Sequence, residues 1–551
     1  MEDSIQATES DWWKWGDPAK RKKLTQYQKL KTHFETRFTT SFDNINNTPA
    51  YKIAVDSSDE VVQLFSRHLP SIEIKTTIDA RLKKATGKSY PDLLSAFYHS
   101  NIHLPDAVIC PSSPSEVQQV IAWANEHRIV VVPFGGGSNV VGAFAQKEKT
   151  TKHVVLDLSA LNSVVSIDVV NHTAVFEAGI YGPELEQHLN KKGFTLGHFP
   201  QSFEYSTLGG WIVTRSAGQE SSYYGRIEDI VIALKVVTPQ GEISAGAYEG
   251  DAEGVNIKSL FFGSEGTFGI VVEAKVRIHP LPQSKKWVTA VFPSFENGTH
   301  ALRELIHAGL YPSVVRYSDE QETFFLSQLS HEAPSVFSKL KSYFTQMVLK
   351  FKGIEKPSLM MLRFDGAPDE AVQRSASAST VIKKYSGLLS GESLGKKWEL
   401  SRFGLPYLRD DLLERGIFVD TMETVLPWNK IGAMKADLQL KLKQLPAFGN
   451  EKGILLAHLS HVYTASSSIY FTVITRQDSV QPLAQWQAIK TVVTDTIVAH
   501  GGAVSHHHSI GRDHQKWYVQ QTDTLTREVL KAIKHTLDPN TILNPGKLFD
   551  E

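Results

Sequence analysis

The sequence predicts an α+β protein: a mixed α+β domain, a second α+β unit after it, and a mainly helical region before it. Three observations lead there. Between about 100 and 280, strand-like segments alternate with short helical ones, without the regular rhythm of a βαβ series. Four segments in that stretch, among them a triple-glycine loop and a run dense in Gly, Ser and Thr, each stand at a strand edge. From about 285 to 500 the alternation resumes with different motifs. The expected units are 1–95, 96–284, 285–500 and a closing segment 501–551.

Composition narrows the class. A chain of 551 residues with 41% hydrophobic and 21% charged content is globular and exceeds one ordinary domain. A net charge of −1 creates no field for nucleic acid, so no nucleic-acid partner is expected. Cys110 is the only cysteine, so no internal disulfide can form; between Ile109 and Pro111 it reads as a small buried residue. The N-terminus lacks an apolar signal region, no run is long enough to span a membrane, and Phe549–Glu551 is not a peroxisomal address. These features predict a cytoplasmic protein, at most peripheral to a membrane surface.

Residues 1–95 are polar and helix-forming, with little strand signal. There Trp12, Trp13 and Trp15 stand beside Lys14, Lys20, Arg21, Lys22 and Lys23, a pairing that suits a membrane interface or an arm docked on the body; docking is the expectation. The apolar run Ile129–Val132 reads as a buried strand ended by Pro133, and Phe134, Gly135, Gly136, Gly137, Ser138 and Asn139 follow. Glycine admits positive φ and close approach, so such a loop can turn several amides toward one phosphate. Further strands are expected at Val154–Asp157, Ala174–Glu177, Ile230–Val237 and Gly269–Ile278, with a helix over 183–193 that has Pro in its first turn and Gly after its last. A tight turn at 239–242 joins two of them. In the second unit, Val336–Phe351 aligns Phe337, Leu340, Phe344, Met347 and Phe351 on one helical face flanked by lysines. It suits a core helix or an interfacial helix beside a lipid entrance.

Three segments join the glycine loop: 197–219, 224–231 and 261–276. Together PFGGGSN, the Gly/Ser/Thr stretch, YGRIEDIV and GSEGTFGIV resemble the FAD-binding domain of the vanillyl-alcohol-oxidase type. That resemblance implies FAD, with its pyrophosphate on Pro133–Asn139. It places the rest of the cofactor among Gln201, Ser202, Ser206, Thr207, Thr214, Arg215, Ser216, Ala217, Gly263, Ser264, Glu265, Gly266, Thr267 and Gly269. The glycine loop holds no histidine, which relatives with covalent FAD use, so the FAD is expected to be non-covalent.

The segment GGAVSHHHSIGRDHQKW, 501–517, carries three adjacent histidines. Such a triplet can bind metal, act in acid/base chemistry or be a solvated run. In a regular strand consecutive side chains alternate faces, so the three could not share one ion, and no metal is expected. Hydroxy-acid dehydrogenases of the superfamily show Glu-His-Gly-x-Gly here and His-x-Gly-Asp-Gly-Asn-x-His upstream. This chain has His507, His508, Ser509, Ile510 and Gly511, and upstream HLSHVYTASSSIYF, 458–471. With PSVVRYSDE (312–320) and RFGLPYLRD (402–410), these departures resemble the alkyldihydroxyacetonephosphate synthases, the bacterial branch most of all. Ser509, where the synthases have glycine, and the ending ILNPGKLF, 542–549, depart from that pattern.

The resemblance implies exchange of the acyl chain of acyl-dihydroxyacetone phosphate for a long-chain fatty alcohol, without net redox change, while flavin N5 holds the dihydroxyacetone-phosphate carbon. It implies Tyr470 as acid/base, Arg409 on the substrate phosphate, and His506, His507, His508 and Arg316 as active-site residues. Read alone, Tyr470 could be a core strand residue and Arg316 a partner of Asp319 or Glu320. A phenol acts as a base only beside cations, which the histidines and arginines could supply. The partners implied are the two lipid substrates and a homodimer. The alternative is an FAD-linked oxidoreductase of a D-2-hydroxy acid or related alcohol.

Overall fold

A computed structural model describes residues 11–43, 59–98, 102–144, 152–329 and 352–548. The amphipathic segment Val336–Phe351 lies outside them, and with it the expected lipid entrance. The described residues build three main sheets.

The first sheet has the order β1-β2-β4-β3, from β1 (Glu73–Lys75), β2 (Ala107–Cys110), β3 (Val130–Phe134) and β4 (His153–Asp157). β2 and β4 are buried along their whole length, as continuous apolar runs in a parallel sheet are. The helix Pro114–His127 leads from β2 toward β3; Ser113 Oγ accepts from Glu116 N to cap it, and Pro114 starts it. Two expectations change here. Pro133 lies within β3, paired with Leu156, because an edge strand tolerates a residue without an N–H. β1, in a stretch with little strand signal, pairs antiparallel with β2; three residues are too few to show an alternation.

The second sheet, order β5-β6-β10-β8-β9, is antiparallel. Its strands are β5 (Val164–Asp168), β6 (Thr173–Glu177), β8 (Val231–Thr238), β9 (Gly241–Ala245) and β10 (Ile270–Arg277); β7 (Phe194–Thr195) pairs separately with β11 (His279–Pro280). The expected helix spans Gly182–Asn190, and the turn after Thr238 closes the β8–β9 hairpin.

The third sheet is antiparallel and seven-stranded, order β15-β12-β14-β13-β17-β18-β16. Its strands are β12 (Ser284–Phe292), β13 (Val314–Ser318), β14 (Ser358–Gly366), β15 (Leu388–Gly391), β16 (Ile417–Pro427), β17 (Ile454–Val462) and β18 (Ser466–Arg476). Strand alternation decides what this sheet does. On β18, Ile469, Phe471 and Val473 are fully buried in the core against helices, while Tyr470, Thr472 and Ile474 face a cavity. On β17, Leu455, Ala457 and Leu459 enter the core, and Leu456, His458 and Ser460 face the cavity. Each fully buried apolar side chain contributes about 1.5–3 kcal/mol, so the core holds this register against a one-residue slip.

The tryptophan arm is docked. Trp13 and Trp15 are buried, Lys14 pairs with Glu414 at 2.6 Å, and Trp15 N and Leu24 N donate to Asp410 and Asp411. All three carboxylates lie on the helix Pro406–Glu414, which also carries Arg409.

Candidate active site

The cavity, about 390 Å³, opens between the first two sheets and the polar face of the third. All of Pro133–Asn139 line it, with Gln201, Ser202, Ser206, Thr207, Thr214, Ser216, Ala217, Glu265, Gly266 and Gly269. The loop is fixed by packing. A Cβ on Gly135 would meet Thr207 Oγ1 at 2.3 Å, one on Gly136 would meet Tyr205 O at 1.9 Å, and Gly137 takes φ +67°. Asn139 Oδ1 accepts from Val141 N and Ala143 N and closes the loop on itself.

These residues fit FAD. Serine and threonine hydroxyls and glycine backbone can carry a pyrophosphate without a fixed countercharge. Gln219 Oε1 and Asn544 Oδ1 are buried cavity-wall acceptors without a partner among the described residues, suited to ribityl and ribose hydroxyls. Four expected cofactor residues do not line the cavity. Arg215 is exposed and bonds Glu228 at 2.9 Å, because its backbone sits in the left-handed region and turns the side chain outward. Gly263 packs against Arg215, and Ser264 and Thr267 form the turn that presents Glu265 and Gly266. Glu265 is buried, which pushes its carboxyl up to about 7, and accepts from Gly511 N.

The opposite wall carries Tyr470, His507, His508, Arg316 and Arg409. His506 stands behind it, its Nε2 2.6 Å from Tyr463 Oη. The triplet does not lie in a strand. It forms a bend, so the alternation expected of it does not apply, and ligand atoms of His461, His506 and His507 lie within 4.8 Å of one another. That spacing could hold a metal ion, but each ring already has a protein partner: Gly218 O for His461, Tyr463 for His506, and His506 Nδ1 for His507.

Glu423 sets the bend. It lies across from Tyr470 in the β16–β18 pairing, 2% exposed. Its carboxylate accepts from Ser505 Oγ (2.7 Å) and from three successive amides, His506 N (2.6 Å), His507 N (3.1 Å) and His508 N (3.0 Å). Burial opposes its charge, but the imidazoles and these donors hold the carboxyl well below the usual range. Ser509, with φ 73°, occupies a left-handed position that favours glycine.

Burial pushes the histidines down: His506 and His507 well below the ordinary value, His508 below it, and His461 to about 4. The triplet is therefore neutral at pH 7 and cannot supply the cations a tyrosinate needs. Burial, with Glu423 and Asp420 nearby, pushes Tyr470 up to about 12, so it is a phenol here. Its ring stacks on His458 at 5.0 Å and on His507 at 6.0 Å.

Arg316 pairs with neither Asp319 nor Glu320. Its Nη2 lies 2.7 Å from Glu322, which also takes His458 Nδ1 at 2.9 Å. Burial opposes the Glu322 charge, but Arg316 and His458 hold the carboxyl at about 2. Arg409 donates Nη1 to Lys88 O at 3.1 Å; its buried Nε and Nη2 make no hydrogen bond, though Nη2 is 3.5 Å from Asp410. Sequence reasoning missed Glu423, Glu322, His458 and His461. Only HLSHVY, noted for the motif it lacks, carried a signal for two of them.

Comparison with known proteins places the chain in a family. Residues 105–245 match the FAD binding domain family and 281–548 match the C-terminal domain of FAD linked oxidases. The chain is 33% identical over 525 residues to an alkyldihydroxyacetonephosphate synthase of Dictyostelium discoideum, covering 92% of this chain and 84% of the relative. It is 32% identical to one of Trypanosoma brucei brucei, covering 95% and 85%. A solved alkyldihydroxyacetonephosphate synthase structure superposes with a TM-score of 0.81 at 30% identity, covering 95% of this chain and 93% of that one.

Proposed function

The chain belongs to the alkyldihydroxyacetonephosphate synthase family, and from that membership we propose that it is an FAD-dependent transferase of ether lipid synthesis, exchanging the acyl chain of acyl-dihydroxyacetone phosphate for a fatty alcohol. The observation that carries the site assignment is one wall shared by the Arg409 guanidinium, two neutral imidazoles and a phenol, continuous with an apolar surface. When bound, FAD supplies a ring able to take up and return electron density at the reacting carbon. Arg409, a cation on the cavity wall with a planar fork of donors, binds the substrate phosphate. The apolar wall, including Phe325, Leu326, Leu412, Leu456 and Ile474, takes the alkyl chain and excludes water. The pair His507 and His508 accepts the C1 proton, which neutral imidazole can do at pH 7. Tyr470 Oη donates to the departing carboxylate oxygen. Arg316, charge-balanced by Glu322, supports the electrostatics of that wall.

In the same reading, 96–284 holds FAD, 285–500 supplies the substrate wall, and 501–551 closes the site. No helix among the described residues is long and apolar enough to cross a membrane; peripheral contact with a lipid surface and a homodimeric assembly belong to the same proposal. The oxidoreductase alternative rests on relatives more distant than the synthases. The deciding experiment gives holoenzyme acyl-dihydroxyacetone phosphate and a long-chain alcohol. Ether product and free fatty acid are expected with no external acceptor reduced. Acceptor reduction by a D-2-hydroxy acid, with no ether product, would falsify the assignment.

A further inference from the structure

His506 and Tyr463 do not line the cavity, and no step above uses them. Hydrogen bonds nevertheless join them to its wall. Tyr463 Oη is 2.6 Å from His506 Nε2, and His506 Nδ1 is 2.9 Å from His507 Nδ1. His507 faces the cavity, His506 is buried, and Tyr463 is half-buried.

The bond between two Nδ1 atoms constrains both rings. Neutral imidazole carries one N–H, so one proton lies between the two Nδ1 atoms. If it sits on His507, then His507 Nε2 has a lone pair, and His506 Nε2–H donates to Tyr463 Oη. If it sits on His506, then His507 Nε2 carries a proton, and His506 Nε2 accepts from Tyr463 O–H. The three side chains stay hydrogen-bonded to one another in both arrangements, and the two differ in whether His507 Nε2 is a base or an acid. The surroundings favour neutral rings: both are buried, His461 lies 4.8 and 5.3 Å away by ring centroid, and Arg226 binds the His506 carbonyl.

We propose that His507, His506 and Tyr463 form a proton relay between the reacting carbon and solvent, with Tyr463 as its outer member. The proposal rests on the synthase reading, in which a C1 proton leaves and returns. As the C1 proton binds His507 Nε2, the His507 Nδ1 proton passes to His506 Nδ1. The His506 Nε2 proton passes to Tyr463 Oη, and the Tyr463 hydroxyl proton passes to water. The C–H electron pair stays with the substrate, no ring keeps a charge, and no oxidant is consumed. The reverse sequence returns a proton to C1. His507 is the catalytic residue of the three; His506 and Tyr463 act through it.

The test is Tyr463→Phe. The other Tyr463 bonds, N–H to Ser466 O and carbonyl from Trp428 Nε1, are main-chain on the tyrosine side, so the fold should persist. In the holoenzyme, loss of C1 tritium to water should slow about 10²-fold, with FAD content and substrate KM within about two-fold of wild type. The solvent proton inventory should change from bowed to linear. A variant with full FAD that releases tritium at the wild-type rate overturns the relay and leaves the synthase reading intact. A wild-type enzyme that forms no ether product sinks that reading instead. A second measurement then decides the relay without turnover: ring 15N spectra of histidine-labelled protein. Averaged His506 ring shifts in wild type that become fixed in Tyr463→Phe support it, and identical spectra overturn it.

Discussion

The Glu423 carboxylate accepts the His506 backbone N–H at 2.6 Å, and the same carboxylate takes the next two amides of the chain. The histidine bend is thus shaped around one buried anion. Glu423→Ala leaves those amides unsatisfied, at about 1–3 kcal/mol for each buried group. We expect a lower melting temperature and a loss of alkyl exchange of about 10²-fold or more, with FAD retained. Flavin content, thermal melting and turnover on one sample check this. Normal turnover would mean that the bend keeps its shape unaided.

Arg409→Lys keeps the charge and loses the planar fork. Arg409 lines the cavity, and its planar fork suits phosphate oxygens. KM for acyl-dihydroxyacetone phosphate should rise about ten-fold, a loss of ~1.4 kcal/mol, while KM for the alcohol holds. An unchanged phosphate-substrate KM removes Arg409 from the site.

His508→Ala should retain FAD and fold but lose exchange by about 10²-fold. His507→Ala should fail similarly. Full FAD with normal turnover in His508→Ala would make that side chain structural.

Stability should fall on acidification. Burial lowers His198 to about 3, His461 to about 4 and His514 to about 3. The unfolded chain titrates its histidines near 6.5, so between there and about 4 it binds more protons than the native state, and stability decreases as pH falls. Glu265 and Asp513, pushed up to about 7 by burial, and Glu186, pushed up to about 6, act oppositely between their unfolded and folded values, as do the raised Asp92, Asp319, Asp420 and Glu414. The histidines outnumber them, since the triplet, His33, His279 and His458 are lowered too. Urea midpoints should drop from pH 7 to 4.5; a flat or rising profile contradicts the neutral-histidine picture.

FAD should be dissociable, because the glycine loop offers no histidine to a covalent link. Acid precipitation is expected to leave the yellow colour in solution, and a yellow pellet would overturn this. Chelation should leave alkyl exchange unchanged, since His461, His506 and His507 already have protein partners.

Local chemistry was the legible part. The strands around PFGGGSN and the 239–242 turn are set by glycine and short apolar runs and fold as those residues dictate, except that Pro133 joins β3 instead of ending it. Tyr470 alternates with Ile469 and Phe471, so one face was bound to differ from the other, although the pattern could not say which face met a cavity. What stayed hidden was long-range. Glu423 reads as one strand residue in METVLP, and its partners lie 82 to 85 residues away. The strand alternation used against a shared ion does not hold for the triplet, because adjacent residues carry no sign of a distant carboxylate folding them into a bend. The alternative partners of Arg316, Asp319 and Glu320, are its sequence neighbours, whereas Glu322, on the following helix, turns back to reach it.

The docked arm has a consequence for how the molecule comes into being. Trp15 lines the cavity and is tied to Asp410, 395 residues later in the chain. Asn544 lines the same cavity and reaches back 401 residues to Ala143. Contacts of such separation form slowly, because the chain entropy lost in closing them comes before their reward. During synthesis the early-made wall must wait for nearly all of the remaining polypeptide. FAD capture is therefore expected to be completed late in biogenesis, since Trp15 and Asn544 close the cavity only when both are in place.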